Sequence, residues 1–201
     1  MKNNNVLINE EKYKKGLEFI KNKNFHSAEK IFSNILDKFP NHLNSLFLMG
    51  FALYEQKKNI QSLKYLTKAS SLKKNFRDAD YFIGKVYQNI RQYKKAKEQF
   101  NKILNDYPND LETLINFIVS KINLREFSDV KFLLKNNKKL FKNDGVYENL
   151  LGLLHLYSGE NELSIKYYLQ SFKQNNNNFN TLINLAYIYL RISDFNNSKK
   201  Y

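Results

Sequence analysis

Three histidines, 19 carboxylates and no cysteine are what this chain offers for acid–base, nucleophilic or metal chemistry. His26, His42 and His155 show neither a His-Glu-x-x-His pair nor any other metal-ligand spacing. His155 stands at whole multiples of 34 residues from Phe19, Leu53 and Tyr87, so it reads as a packed core histidine. Without cysteine there are no disulfides, thiolate nucleophiles or Cys-ligated zinc. The carboxylate pairs Glu10/Glu11 and Glu160/Glu162 flank predicted helices, where solvated or dipole-compensating roles fit them better than acid–base work. No Gly-rich phosphate loop and no Gly-x-Ser-x-Gly elbow occurs. The expectation is a chain with no catalytic residue, no cofactor and no metal site, not an enzyme unless a catalytic domain continues it.

Charge is the other chemical resource. The net charge is +14, carried by 33 basic residues of which only Arg77, Arg91, Arg125 and Arg191 are arginine. The lysine excess, beside abundant Asn, Ile, Phe and Tyr, is what A/T-rich codons encode, so the charge is weaker evidence for an anionic partner than its size suggests. Residues 1–110 carry +10 and residues 111–201 carry +4. Scarce arginine argues against a phosphate-reading surface, so nucleic-acid binding is disfavoured. The cluster Lys57, Lys58, Lys73, Lys74, Lys94, Lys95 and Lys97 could contact RNA or anionic lipid, although a solvated convex face explains it more simply. The first ten residues hold only three consecutive apolar side chains, too few for a signal-peptide core or a membrane span. A cytoplasmic address is the default.

The elements that must position any site emerge from a fixed period. Gly16, Gly50, Gly84 and Gly152 are separated by 34, 34 and twice 34 residues, and Pro40 and Pro108 by twice 34. One further phase holds Phe25, Tyr93, Phe127 and Phe195, with Asn59 and Asn161 as polar exceptions. A second holds Ala28, Ser62, Ala96, Val130, Ser164 and Ser198, and a third holds Phe32, Leu66, Phe100, Leu134 and Tyr168. Apolar residues between them recur at helical spacing, as at Ala96, Phe100 and Ile103. Each period therefore reads as two helices. Small residues let two backbones approach, and a large side chain fills the space beside them. Turns such as Asn22-Lys23-Asn24 and Ser158-Gly159-Glu160 join the two helices, and Pro40 ends the second.

This pattern resembles the tetratricopeptide repeat, whose signature runs Trp-x2-Leu-Gly-x2-Tyr, Ala-x3-Phe, Pro. The third unit carries it best, with Ile83-Gly84, Tyr87, Tyr93, Ala96, Phe100 and Pro108. The first has Gly16, Phe19, Phe25, Ala28, Phe32 and Pro40, and the fifth has Leu151-Gly152 but Asn176 in place of proline. The fourth departs furthest, with Ile118 and Val130 at the small positions, and tryptophan is absent throughout. The resemblance implies an all-α fold: a right-handed superhelical solenoid of antiparallel helix pairs in 34-residue repeats, five complete plus a partial sixth. An N-terminal tail covers 1–8, and the units are 9–42, 43–76, 77–110, 111–144, 145–178 and a partial 179–201. The partial unit leaves an uncapped apolar end, to be covered by a partner, by self-association or by continuation of the chain.

In this family the concave groove is lined chiefly by the first helix of each unit. The corresponding residues are Tyr13, Leu17, Phe47, Phe51, Tyr54, Tyr81, Lys85, Asn116, Asn149, Tyr157, Asn184 and Tyr187. The aromatic ones either anchor a peptide or helix or pack between repeats. The family's carboxylate clamp for chaperone C-termini is disfavoured, because its phases hold Tyr13, Leu17, Leu48, Asp78 and Phe82. The asparagine ladder of repeat-bearing glycosyltransferases keeps only Asn116 and Asn184. The expected function is a protein–protein interaction scaffold or adaptor binding a peptide or helix of a partner. The alternative is the substrate-recruiting N-terminal module of a glycosyltransferase- or sulfotransferase-type enzyme.

Overall fold

The computed structural model describes residues 2–142 and 144–200, with side chains from Glu10 onward. The tail expected over 1–8 lies outside the residues described with side chains. Twelve α-helices and no strand occur among the described residues. They form two compact units, Met1–Pro108 and Asn109–Tyr201. The first contains α1 (Lys2–Lys21), α2 (Phe25–Lys38), α3 (Leu43–Glu55), α4 (Asn59–Leu72), α5 (Arg77–Asn89) and α6 (Tyr93–Asp106). The second contains α7 (Leu111–Asn123), α8 (Phe127–Asn137), α9 (Val146–Tyr157), α10 (Asn161–Gln174), α11 (Phe179–Arg191) and the short α12 (Phe195–Ser198). Odd-numbered helices pack on the even-numbered helix that follows, giving the antiparallel pairs of a helical-repeat fold.

Each pair turns on one backbone device. Lys23, Lys57, Arg91, Arg125, Gly159 and Ser193, spaced by 34 residues, all have φ between 56° and 83°. At each, the residue donates its N–H three residues back and the next residue donates five residues back. Lys57 N–H to the Tyr54 carbonyl at 2.9 Å and Lys58 N–H to the Leu53 carbonyl at 2.9 Å are one instance. This is the Schellman arrangement, which consumes the last free carbonyls of the first helix and reverses the chain. The second helix of a pair ends differently. Phe39 and Tyr107 precede the two prolines, which disfavour helical backbone there, and each gives its N–H to the preceding turn at 2.8 Å.

Packing within a pair depends on the small positions. A Cβ built on Gly16, Gly50, Gly84 or Gly152 would come within 2.5–2.8 Å of Phe32, Leu66, Phe100 or Tyr168, each sixteen residues on and fully buried. Hydrogen alone at these positions lets the large side chain lie flat on the first helix. Where the small residue of the second helix is serine, it also ties the pair together. Ser62 Oγ donates to the Gly50 carbonyl at 2.7 Å, and Ser164 Oγ to the Gly152 carbonyl at 2.8 Å. The third helix pair, α5–α6, is joined to α4 by a buried Asp80. Its carboxylate accepts from Ser70 Oγ at 2.6 Å, Gln99 Nε2 at 3.0 Å and Lys102 Nζ at 2.9 Å.

The degenerate α7–α8 pair keeps its core. Ile118 and Leu134 replace the small–large couple and are both buried. Its second helix is shorter: α8 has 11 residues against 14 in α2, α4, α6 and α10, and it passes into a 3-10 turn at Lys138–Leu140. Gly145, at φ 83°, then opens α9 against Ser171, whose Oγ donates to the Gly145 carbonyl at 2.7 Å. A side chain at Gly145 would meet both the left-handed backbone and the Ser171 carbonyl 2.6 Å away.

Candidate functional site

In the second unit, α9 packs beside both α7 and α11, so three first helices lie side by side. Along them runs a cavity of about 620 Å³ lined by Arg125, Leu153, Leu156, Tyr157, Ser158, Gly159, Asn184, Tyr187 and Arg191. A smaller one of about 300 Å³ continues it, sharing Leu153 and Asn184 and adding Asn149, Ile115 and Ile183 among others. The apolar floor comes from helix positions facing the core, while the rim comes from the helix ends and the turns after them. Hydrogen bonds fix parts of the wall. Tyr157 Oη donates to Asn123 Oδ1 at 3.3 Å, Asn149 Nδ2 to Thr181 Oγ1 at 2.8 Å, and Arg191 Nη1 to the Leu156 carbonyl at 3.4 Å. Tyr157 and Tyr187 are exposed, which leaves their ring faces available for contact.

The residues expected to line a groove divide between the two units. Tyr157, Asn184 and Tyr187 meet in the larger cavity, and Asn149 joins Asn184 in the smaller. Asn116 lines neither; its amide donates to the Glu112 carbonyl of its own helix at 2.8 Å. In the first unit the aromatic rings gather on one another. Phe47, Phe51, Tyr54 and Tyr81 all lie 5.0–6.0 Å from the Phe82 ring, and Tyr81 is buried against Phe100. Tyr13 packs edge-on to Phe32 and His42, Lys85 is half-buried and Leu17 is exposed. Arg125 and Arg191 were not among the expected groove residues. The signal was present in the sequence, since both stand out as arginine in a lysine-rich chain, but Arg125 belongs to the inter-helix turn rather than to a first helix.

The groups with conspicuous chemistry are otherwise engaged. Lys121 is buried, bonded to Glu126 at 2.5 Å and Asp129 at 2.6 Å. Burial alone would lower its pKa, but the bonds to Asp129 and Glu126 outweigh burial and raise it, so the ammonium stays protonated and is no nucleophile. His155 bonds Glu160 at 2.6 Å and stacks on Tyr167, and His42 shares a 2.7 Å hydrogen bond with Ser45. No group of His, Asp and Glu among the described residues could hold a metal ion. Nor is any described helix long and apolar enough to cross a membrane.

A family model for the tetratricopeptide repeat matches residues 78–110, the unit in which the sequence signature is fullest. A TPR repeat-containing protein of Methanocaldococcus jannaschii is 32% identical over 129 residues, which is 61% of this chain and 22% of that protein. Residues 78–110 form a tetratricopeptide repeat. Solved tetratricopeptide-repeat structures share the chain's fold at low identity. The type IV pilus biogenesis factor PilW matches with a TM-score of 0.77 and 14% identity, over 96% of this chain and 90% of that one. YrrB, described as a TPR protein with an unusual peptide-binding site, matches with a TM-score of 0.67 and 12% identity, over 84% of this chain and 87% of that one. The chain spans 22% of the length of the curated relative it matches.

Proposed function

We propose that this chain acts as a scaffold by holding an extended peptide segment of a partner protein against α7, α9 and α11. The reading is carried by the two adjoining cavities, which share Leu153 and Asn184 and together form one elongated, open surface. Its composition suits a peptide: leucines and isoleucines on the floor, exposed tyrosines beside them, and asparagine amides able to bond a backbone that lacks secondary structure. The peptide-binding site named for YrrB supports the same class of ligand. In the first unit the corresponding aromatic rings pack on Phe82, which favours the second unit as the seat of binding.

The test is a peptide selection on the full chain, followed by affinity measurements on Asn184→Ala and Tyr187→Ala. Each is expected to weaken the selected peptides by about tenfold, in proportion to one anchor residue. Circular dichroism should be unchanged. Selected peptides that bind both folded variants as tightly as the parent would remove this surface from the account.

A further inference from the structure

Lysine is the default cation of this chain, and on a solvated face it serves as well as arginine. The second unit has just two arginines, Arg125 and Arg191, and both line the larger cavity. They come from different helical pairs, one from the turn after α7 and one from the end of α11, and sequence spacing alone would not associate them. We propose that they recognise a carboxylate on the bound peptide, an Asp or Glu side chain whose flanking residues rest on Tyr157, Tyr187 and Leu153. The inference rests on the peptide-groove reading and adds the chemistry of what that groove selects.

Two observations and one general property of arginine favour a ligand over a purely structural role. First, neither guanidinium has a carboxylate partner among the described residues. The acids nearest in sequence are spent elsewhere: Glu126 and Asp129 on Lys121, and Asp194 on the N–H and side chain of Asn197; Glu160, next to the cavity-lining Gly159, is spent on His155. Second, the helix-end carbonyls that a cation might otherwise cap are already bonded by backbone. Arg125 N–H donates to the Ile122 carbonyl at 2.9 Å and Glu126 N–H to the Lys121 carbonyl at 3.0 Å, while Arg191 reaches only the Leu156 carbonyl, at 3.4 Å. Third, planar guanidinium forks bind carboxylates in two-point fashion, which a lysine ammonium cannot reproduce. An internal acidic side chain fits better than a chain terminus, because the lining continues past Asn184 into the smaller cavity and the bound chain has room to run on. This location differs from the phases of the chaperone-tail clamp, which hold Tyr13, Leu17, Leu48, Asp78 and Phe82.

With four arginines in the whole chain, the side-chain Nε–H spectrum of the 15N-labelled protein is simple enough to read each one. Arg91 is an internal control, since it occupies the same left-handed turn position as Arg125 in the first unit. The probes are blocked tripeptide pools, acetyl-X-Glu-X-amide and acetyl-X-Gln-X-amide with X drawn from Leu, Ile, Phe and Tyr, the Gln pool with a free C-terminal carboxylate, and inorganic phosphate. The expected result is that the Glu pool shifts Arg125 and Arg191 along one saturating curve while Arg77 and Arg91 stay still. The Gln amide pool should bind about tenfold more weakly, and Arg125→Lys or Arg191→Lys should abolish most of that preference. Equal binding of the Glu and Gln amide pools, read from Asn184 and Tyr187 resonances, would overturn the carboxylate assignment and leave the groove reading standing. A preference for the free C-terminus or for phosphate would overturn it equally, as would unsaturating shifts of all four arginines. If no pool moves any cavity resonance at millimolar concentration, the groove reading itself fails.

Discussion

At the scale of single residues, two positions that repeat every 34 residues carry most of the surprise. The turn position holds Lys23, Lys57, Arg91, Arg125 and Ser193 in left-handed backbone, where only Gly159 is free of the Cβ conflict. Replacing Lys57 by glycine should therefore stabilise the chain by about 0.5–1 kcal/mol, and Gly159→Ala should destabilise it by about 1 kcal/mol. Urea titrations of both variants check this, and a Lys57→Gly variant weaker than the parent would mean that the lysine side chain holds the turn. The second position runs Phe19, Leu53, Tyr87, Lys121, His155 and Tyr189. Its two polar exceptions, Lys121 and His155, each find an acid five residues later, Glu126 and Glu160, on the residue that precedes the second helix. Periodicity marked His155 as a core residue; its partner Glu160 was visible only as one of a pair of helix-flanking carboxylates. Glu29 supplies a pH test of the same kind of contact. Burial works against its ionised form, but bonds from Lys58 at 2.8 Å and Gln56 at 2.8 Å outweigh it and lower its pKa below 4.5. A lowered carboxylate contributes stability that is present above the unfolded value and lost as pH falls through the folded one. Stability should thus fall more steeply below pH 4.5 in the parent than in Glu29→Gln, by less than about 1 kcal/mol for so exposed a pair. Parallel acid-unfolding curves would count against the linkage.

At the scale of the helical pair, the contact between a glycine and a large side chain sixteen residues later decides how closely two helices lie. Gly84→Ala would push a methyl to 2.5 Å from the Phe100 ring and should cost about 1–3 kcal/mol. In a Phe100→Ala background the same change should cost little or become favourable, because the obstacle is gone and alanine is the better helix former. Additive losses in that double-mutant cycle, measured by denaturant unfolding, would place the strain elsewhere. This contact is also why the fold could be read so fully from sequence. A glycine, a small residue and a large apolar residue at fixed offsets encode one local geometry, which recurs at Gly16, Gly50, Gly84 and Gly152. The groove was less legible for a physical reason: half-buried rings at equivalent phases can face a neighbouring helix or the solvent, and which occurs depends on the neighbour's side chain. Phe82 draws Phe47, Phe51 and Tyr54 into packing, whereas Asn184 at the same phase leaves Tyr157 and Tyr187 exposed beside a cavity. A turn residue such as Arg125 enters the site only once the helices are placed in space.

At the scale of the molecule, helices that within each unit touch mainly their sequence neighbours store stability as local couplings rather than in one shared core. Asp80 is the sharpest probe of that property, because one buried carboxylate ties α4, α5 and α6 together through Ser70, Gln99 and Lys102. Asp80→Ala leaves those donors without their acceptor, and the loss should be about 2–3 kcal/mol, softened by the exposure of Lys102. With local coupling, amide exchange should accelerate most in α4 to α6 and progressively less with distance along the chain, leaving α10 and α11 close to their parent rates. Native-state hydrogen exchange followed by mass spectrometry resolves this. An equal loss of protection in every helix would instead mean that the whole chain opens as one cooperative unit, and the groove formed by α7, α9 and α11 would then depend on the integrity of Asp80 as much as on its own residues.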